Sequence, residues 1–117
     1  MRDKMPRRPL ETRREAAVQF VGEQDGIPER DLKRALVAVL NRHPVSRAYL
    51  ARVVFGADNS TGVALCLNGQ EDAQLLAEIE ESFARLFAEE QHLDIIFISE
   101  KQDAELSRVC NPFHQAA

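Results

Sequence analysis

The stretch Gly22-Glu23-Gln24-Asp25-Gly26-Ile27-Pro28, the run from Glu29 to Arg42, the pair His43-Pro44 and the segment Val45 to Phe55 together decide the fold. Pro28 suits a first helical position, where its missing N–H would have no partner anyway. Glu29 and Asp31 put negative charge at the positive end of the helix dipole. Leu32, Ala35, Leu36, Val39 and Leu40 recur at three- and four-residue steps and make one apolar stripe. Arg42 and His43 close the last turn, and Pro44 forbids continuation. Val45 to Phe55 is rich in β-branched and aromatic residues, without Gly or Pro before Gly56, and predicts a strand.

Upstream, Ala16 to Val21 predicts a first strand that Gly22 stops. Downstream, Gly56 to Gly62 is a dense turn signal. It leads into a short apolar strand, Val63 to Leu67, that completes a hairpin. The run from about Glu71 to Glu90 predicts a second helix with Leu75, Leu76, Ile79, Phe83, Leu86 and Phe87 as its stripe. Leu93 to Ile98 is a last apolar strand. Ser99 with Gln102 three residues on forms a capping box for a short helix carrying Ala104, Leu106, Val109 and Cys110. Asn111-Pro112 stops it. The order β-α-β-β-α-β implies an α+β, ferredoxin-like fold. Two helices would cover one face of an antiparallel four-stranded sheet of order 4-1-3-2, with the C-terminal helix added.

The chain of 117 residues carries a net charge of −4. Residues 1–14 hold six basic groups against Asp3 and Glu11, which leaves −8 for the remainder. That segment has few apolar residues and two prolines, so it reads as a flexible basic tail before one domain spanning 15–117. No apolar run is long enough to cross a membrane. A basic start without an apolar stretch after it gives no sign of a signal peptide. Two cysteines do not make a disulfide framework, which fits a reducing cytoplasm.

Around Gly22-Glu23, Pro28, His43-Pro44, Arg47-Ala48-Tyr49-Leu50 and the ending Cys110-Asn111-Pro112-Phe113-His114, the chain resembles the C-terminal domain of the enhanced serine sensitivity family. The resemblance spans Val18 to His114. The family ending expects Pro-Phe-Tyr, and His114 stands in place of the final aromatic. Longer members carry a further N-terminal domain. The resemblance implies a cytoplasmic bacterial protein and no defined reaction, so it carries no catalytic residue.

The chemical inventory points the same way. Cys66, His92, Cys110 and His114 lack the paired spacing of a zinc site, so no metal or other cofactor is expected. Cys66 alternates within an apolar strand and reads as core. Glutamates along the second helix read as a wet face. No phosphate loop, dinucleotide fingerprint or nucleophile elbow is present. RNA-recognition modules share this topology, but the strand Val63 to Leu67 has no aromatic for base stacking, and the body is acidic; nucleic acid is not expected as a partner.

Two functions from different classes fit. One is a non-catalytic interaction or regulatory module; the other is a small-molecule, amino-acid-sensing domain. In the last strand Leu93, Ile95 and Phe97 alternate with Asp94, Ile96 and Ile98, so both faces are largely apolar. As an edge strand over an uncovered face it would need a cover, either the C-terminal segment or a second copy in a homodimer. Arg47, Tyr49, Ile95, Ile96, Phe97 and Phe113 are the residues expected to meet a partner.

Overall fold

The computed structural model describes residues 10–14, 18–56, 59–87 and 92–116, with backbone alone for 10–14. The first strand, β1, is Leu10–Arg14, followed by β2 Val18–Glu23, α1 Ile27–Leu40, β3 Val45–Phe55 and β4 Thr61–Gly69. Then come α2 Ala73–Leu86, β5 Leu93–Phe97, α3 Glu100–Leu106 and β6 His114–Gln115. The described residues form an α+β fold with a mixed sheet and three helices.

The ferredoxin-like arrangement is not what forms. The sheet order is β1-β5-β4-β3-β2, with β6 also paired to β3. β2, β4 and β6 run antiparallel to β3, whereas β5 lies parallel to β4 and β1 parallel to β5. The physical reason lies in the connections. α1 has 14 residues and rises roughly 21 Å. Glu23 at the end of β2 stands opposite Ala51, and β3 begins six residues earlier, at Val45, which is about 20 Å of strand. α1 therefore prolongs the direction of β2, and β3 returns beside it. A ferredoxin-like unit needs the helix to run back instead. α2 does run back, so β5 starts at the same end as β4 and pairs with it in parallel, as a βαβ crossover does.

β5 is consequently an inner strand. Leu10–Arg14, which the composition placed in the flexible tail, is the edge strand beside it; residues 1–9 lie outside the described residues. The reason is backbone satisfaction: β5 has polar main-chain groups on both sides, and β1 supplies partners on the outer one.

Two cores lie on the two faces. Leu32, Leu36, Val39 and Leu40 of α1 and Leu75, Ile79 and Phe83 of α2 pack on Val45, Ala48, Leu50, Leu65, Leu67, Leu93 and Ile95. Phe83 and Phe87 stack with centroids 4.7 Å apart. On the other face Leu106 and Cys110 pack with Tyr49, Ala51, Val53, Phe55, Ala64, Cys66, Ile96 and Ile98. The C-terminal helix thus covers the face that the two-helix layer leaves open. Of its expected stripe, Leu106 and Cys110 are buried, while Ala104 and Val109 are exposed. At Gly69, opposite Val45, a Cβ would sit 2.9 Å from the Pro44 carbonyl oxygen and 3.2 Å from Val45 Cα, so only glycine fits there.

Candidate functional site

A buried polar cluster is centred on Asp103 of α3. Ser99 accepts from the Gln102 amide at 3.1 Å, and the Gln102 side chain accepts from the Ser99 amide at 3.0 Å, completing the capping box. Starting the helix there sets its rotation. Asp103, Leu106 and Cys110, at steps of three and four, turn toward the sheet. Asp103 is 1% exposed.

Its carboxylate is fully occupied. The Tyr49 hydroxyl donates to Oδ1 at 2.6 Å, and the Asn68 amide donates to Oδ2 at 2.6 Å. Arg47 Nη1 lies 3.2 Å from Oδ1. Asn68 also reaches Glu100 at 3.3 Å. Arg47 and Tyr49 are two apart on β3, so they share one face, and Asn68 comes from β4 beside them. Burial alone would raise the Asp103 pKa, but donation by Tyr49 and Asn68 and the Arg47 charge outweigh it and hold it below the ordinary carboxylate value. Burial, then the bond to Asp103, pushes Tyr49 up to about 12. An ionised carboxylate meets a neutral phenol that keeps its proton. The three contacts to Asp103 clamp α3 to the sheet. A cleft of about 260 Å³ opens beside it, lined by Ser46, Arg47, Asn68, Glu100, Gln115 and Ala116.

The six residues expected to meet a partner separate into two groups. Arg47 and Tyr49 come together on Asp103. Ile95 is fully buried under α1 and α2, with half-buried Phe97 and Phe113 packed against that core, and Ile96 is fully buried under α3. Tyr49 is also fully buried. Tyr49, Ile95 and Ile96 are therefore core, and they do not form a surface. The physical reason is that α3 and β1 fill the face and the edge that sequence alone left open. His114 likewise turns inward: its Nε2 donates to the Val45 carbonyl at 3.1 Å and ties β6 to β3.

The residues that sequence reasoning missed are Asp103 and Asn68. The signal for Asp103 was available: an acid in line with Leu106 and Cys110 at helical spacing interrupts an apolar stripe. Asn68 gave none.

A second polar region joins the two long helices. Glu78 of α2 accepts from Arg42 at 2.9 Å and contacts His43 Nε2 at 3.1 Å, while His43 Nδ1 lies 3.6 Å from Asp72. The bonds from His43, Arg42 and Gln74 lower the Glu78 pKa. A third region is an open cleft of about 600 Å³ beyond the start of α1, lined by Glu23, Gln24, Asp25, Gly26, Arg52, Thr61, Gly62 and Val63. Lys33 bonds Glu23 at 3.1 Å and Asp25 at 3.2 Å there. The α1 N-terminus itself is taken by Glu29, which accepts from the Gly26 amide at 2.9 Å.

Both thiols are buried. Burial pushes Cys66 far up and Cys110 up to about 11, away from the nucleophilic thiolate. Among the described residues no group of three or more His, Cys, Asp or Glu converges as a metal site would require. Nor, among them, is any helix long and apolar enough to cross a membrane. Comparisons with protein-family models, with curated proteins and with solved structures gave no match.

Proposed function

We propose that the chain is a non-catalytic interaction module of the enhanced serine sensitivity type, working in the bacterial cytoplasm and engaging partners through the outer edge of β5. The observation that supports this is β1 itself. A five-residue strand from outside the two cores adds in parallel to that edge, which is how strand addition recognises an extended segment: backbone bonds supply the affinity. The test uses the full chain with Thr12→Pro and Arg13→Pro together. Successive residues of a strand point their N–H groups to opposite sides, so the pair removes a ladder donor whichever way β1 faces. A labelled peptide of sequence 8–16 should then bind, with a rise in fluorescence anisotropy. An unchanged anisotropy at saturating protein would sink the proposal.

A second function, amino-acid sensing, draws on the 600 Å³ cleft, whose lining includes Arg52 as well as Glu23 and Asp25. Charges of both signs suit a zwitterion. A thermal-shift series with the amino acids tests it, because a ligand that binds only the native state raises Tm with its concentration. No shift at millimolar ligand would remove this alternative.

A further inference from the structure

We propose that Asn68-Gly69 is a deamidation site that the fold holds shut, and that reaction there in an opened chain permanently unpins α3. Asn41 precedes Arg42, Asn59 precedes Ser60 and Asn111 precedes Pro112; of the four asparagines, Asn68 alone precedes glycine. In such a pair the glycine main-chain nitrogen can attack the asparagine side-chain carbonyl carbon. The new N–C bond closes a five-membered succinimide, and the side-chain nitrogen leaves as ammonia. Water then opens the ring at one of its two carbonyls, which gives aspartate or isoaspartate. The net change is water taken up and ammonia released, with no oxidant or cofactor. Glycine favours the step because it has no side chain to shield its nitrogen and its backbone turns freely.

Three features of the folded chain oppose this reaction. Asn68 and Gly69 end β4, opposite Arg47 and Val45 of β3. Extended backbone carries the next nitrogen away from the side chain, whereas ring closure needs it turned back beside Cβ. Next, the leaving amide is engaged twice. Its nitrogen donates to Asp103 Oδ2 at 2.6 Å and to Glu100 Oε2 at 3.3 Å. Lastly, Gly69 lies against the main chain of Pro44 and Val45, so closely that no Cβ fits there. The fold therefore requires the glycine that makes the pair reactive, and the same fold keeps it from reacting.

The product does not suit the site. A carboxylate at position 68 can only accept, so Asp103 Oδ2 loses its donor and meets a like charge instead. Asp103 is 1% exposed, and water cannot replace the missing bond without opening the cluster. Glu100 adds a further negative charge beside position 68, against Arg47 on the Oδ1 side. Isoaspartate also lengthens the main chain by one carbon, so the Arg47 and Val45 pairings of β4 can no longer both be kept. A chain that has stayed open is thereby marked, and refolding does not erase the mark.

The experiment incubates the full chain at neutral pH, native in one sample and in denaturant in the other, and follows position 68 by peptide mapping with mass spectrometry. Amide loss there is expected to be at least about tenfold slower in the native sample, because reaction waits on the opening of β4. Equal rates in the two samples would overturn the proposal. The variant Asn68→Asp carries the product charge with no exposure to denaturant. Its α3 and β6 amides should exchange at least about tenfold faster than in wild type, with α1 and α2 unchanged. Wild-type exchange in α3 of this variant would show that the product leaves the helix docked, and overturns the unpinning. Loss of the whole fold in Asn68→Asp, read by circular dichroism, also overturns it, because the effect would then not be confined to α3.

Discussion

The two faces of the sheet are held by different physics. On one, α1 and α2 bring long apolar stripes, and Leu50, Leu65, Leu67, Leu93 and Ile95 receive them. On the other, Tyr49, Ala51, Val53, Phe55, Ala64, Cys66, Ile96 and Ile98 lie beneath a helix of seven residues. A helix that short has little stability of its own. It stays because it is pinned at three points: the capping box at its start, the Asp103 cluster in its middle, and β6 on β3 after its end. Long helices can be attached by area alone, while a short one needs directed bonds.

The largest expected effect breaks the area-driven face. Leu36 of α1 is fully buried in the larger core, and Leu36→Ala removes side-chain volume that its neighbours cannot all refill. A loss of about 2–5 kcal/mol is expected, read from the denaturant midpoint at unchanged slope. The whole domain should unfold more easily, with hydrogen-exchange protection falling in β3, β4 and β5 together. A loss confined to α1 would show that the two faces do not share one cooperative core.

The fold was legible in sequence wherever periodicity carried it. β3 spans Val45–Phe55 as the composition indicates, and α1, α2 and β5 fall within a few residues of their expected bounds. Strand order was not legible. It depends on whether a helix continues or reverses the strand before it, and three residues, Gln24 to Gly26, set that angle without a marked pattern. β1 was hidden because Arg13 and Arg14 look like a solvated tail. An edge strand owes its place to its neighbour's backbone, and composition does not record that. At the polar cluster, Arg47 and Tyr49 were visible on one strand face, but their shared partner is more than fifty residues away.

The next effect sharpens the comparison by loosening only α3. Tyr49→Phe leaves Asp103 Oδ1 without its hydroxyl donor, and a cost of about 1–3 kcal/mol is expected for a buried acceptor that loses a partner. Hydrogen exchange should quicken in α3 and β6 and stay unchanged in α1 and α2. Equal loss of protection on both faces would contradict a local clamp.

The same cluster sets a pH dependence with two limbs. The Asp103 pKa is lower in the folded chain than its ordinary 3.8, so its contribution is present above that value and is lost as pH falls through the lower folded one. Tyr49 is raised from 10.0 to about 12, so the neutral phenol stabilises the fold below 10 and this contribution is lost as pH climbs toward 12. The chain has one tyrosine and no tryptophan, so tyrosinate absorbance reports this site alone. Native protein should titrate near 12, and Asp103→Asn should bring the midpoint down by removing the neighbouring charge. A native midpoint at the ordinary 10.0 would place Tyr49 in water.

The smallest expected effect tests the first of the three pins. Ser99 caps α3 through its hydroxyl, and Gln102 returns the bond. Ser99→Ala leaves the Gln102 amide without that acceptor, and a cap of this kind contributes about 1 kcal/mol. In a long helix buried along its length the loss would be shared over many neighbours. α3 has only Leu106 and Asp103 buried within it, so its first turn should fray while the Asp103 bonds and β6 hold the rest. Amide exchange at Lys101 to Asp103 should rise several-fold, with Tm lowered by only a few degrees. Combining Ser99→Ala with Tyr49→Phe asks whether the pins act together. Both bear on one seven-residue helix, so a double-mutant cycle should show a coupling above about 0.5 kcal/mol. Strict additivity would mean that cap and carboxylate hold separate pieces of chain, and that α3 is not the single docked unit inferred from its packing.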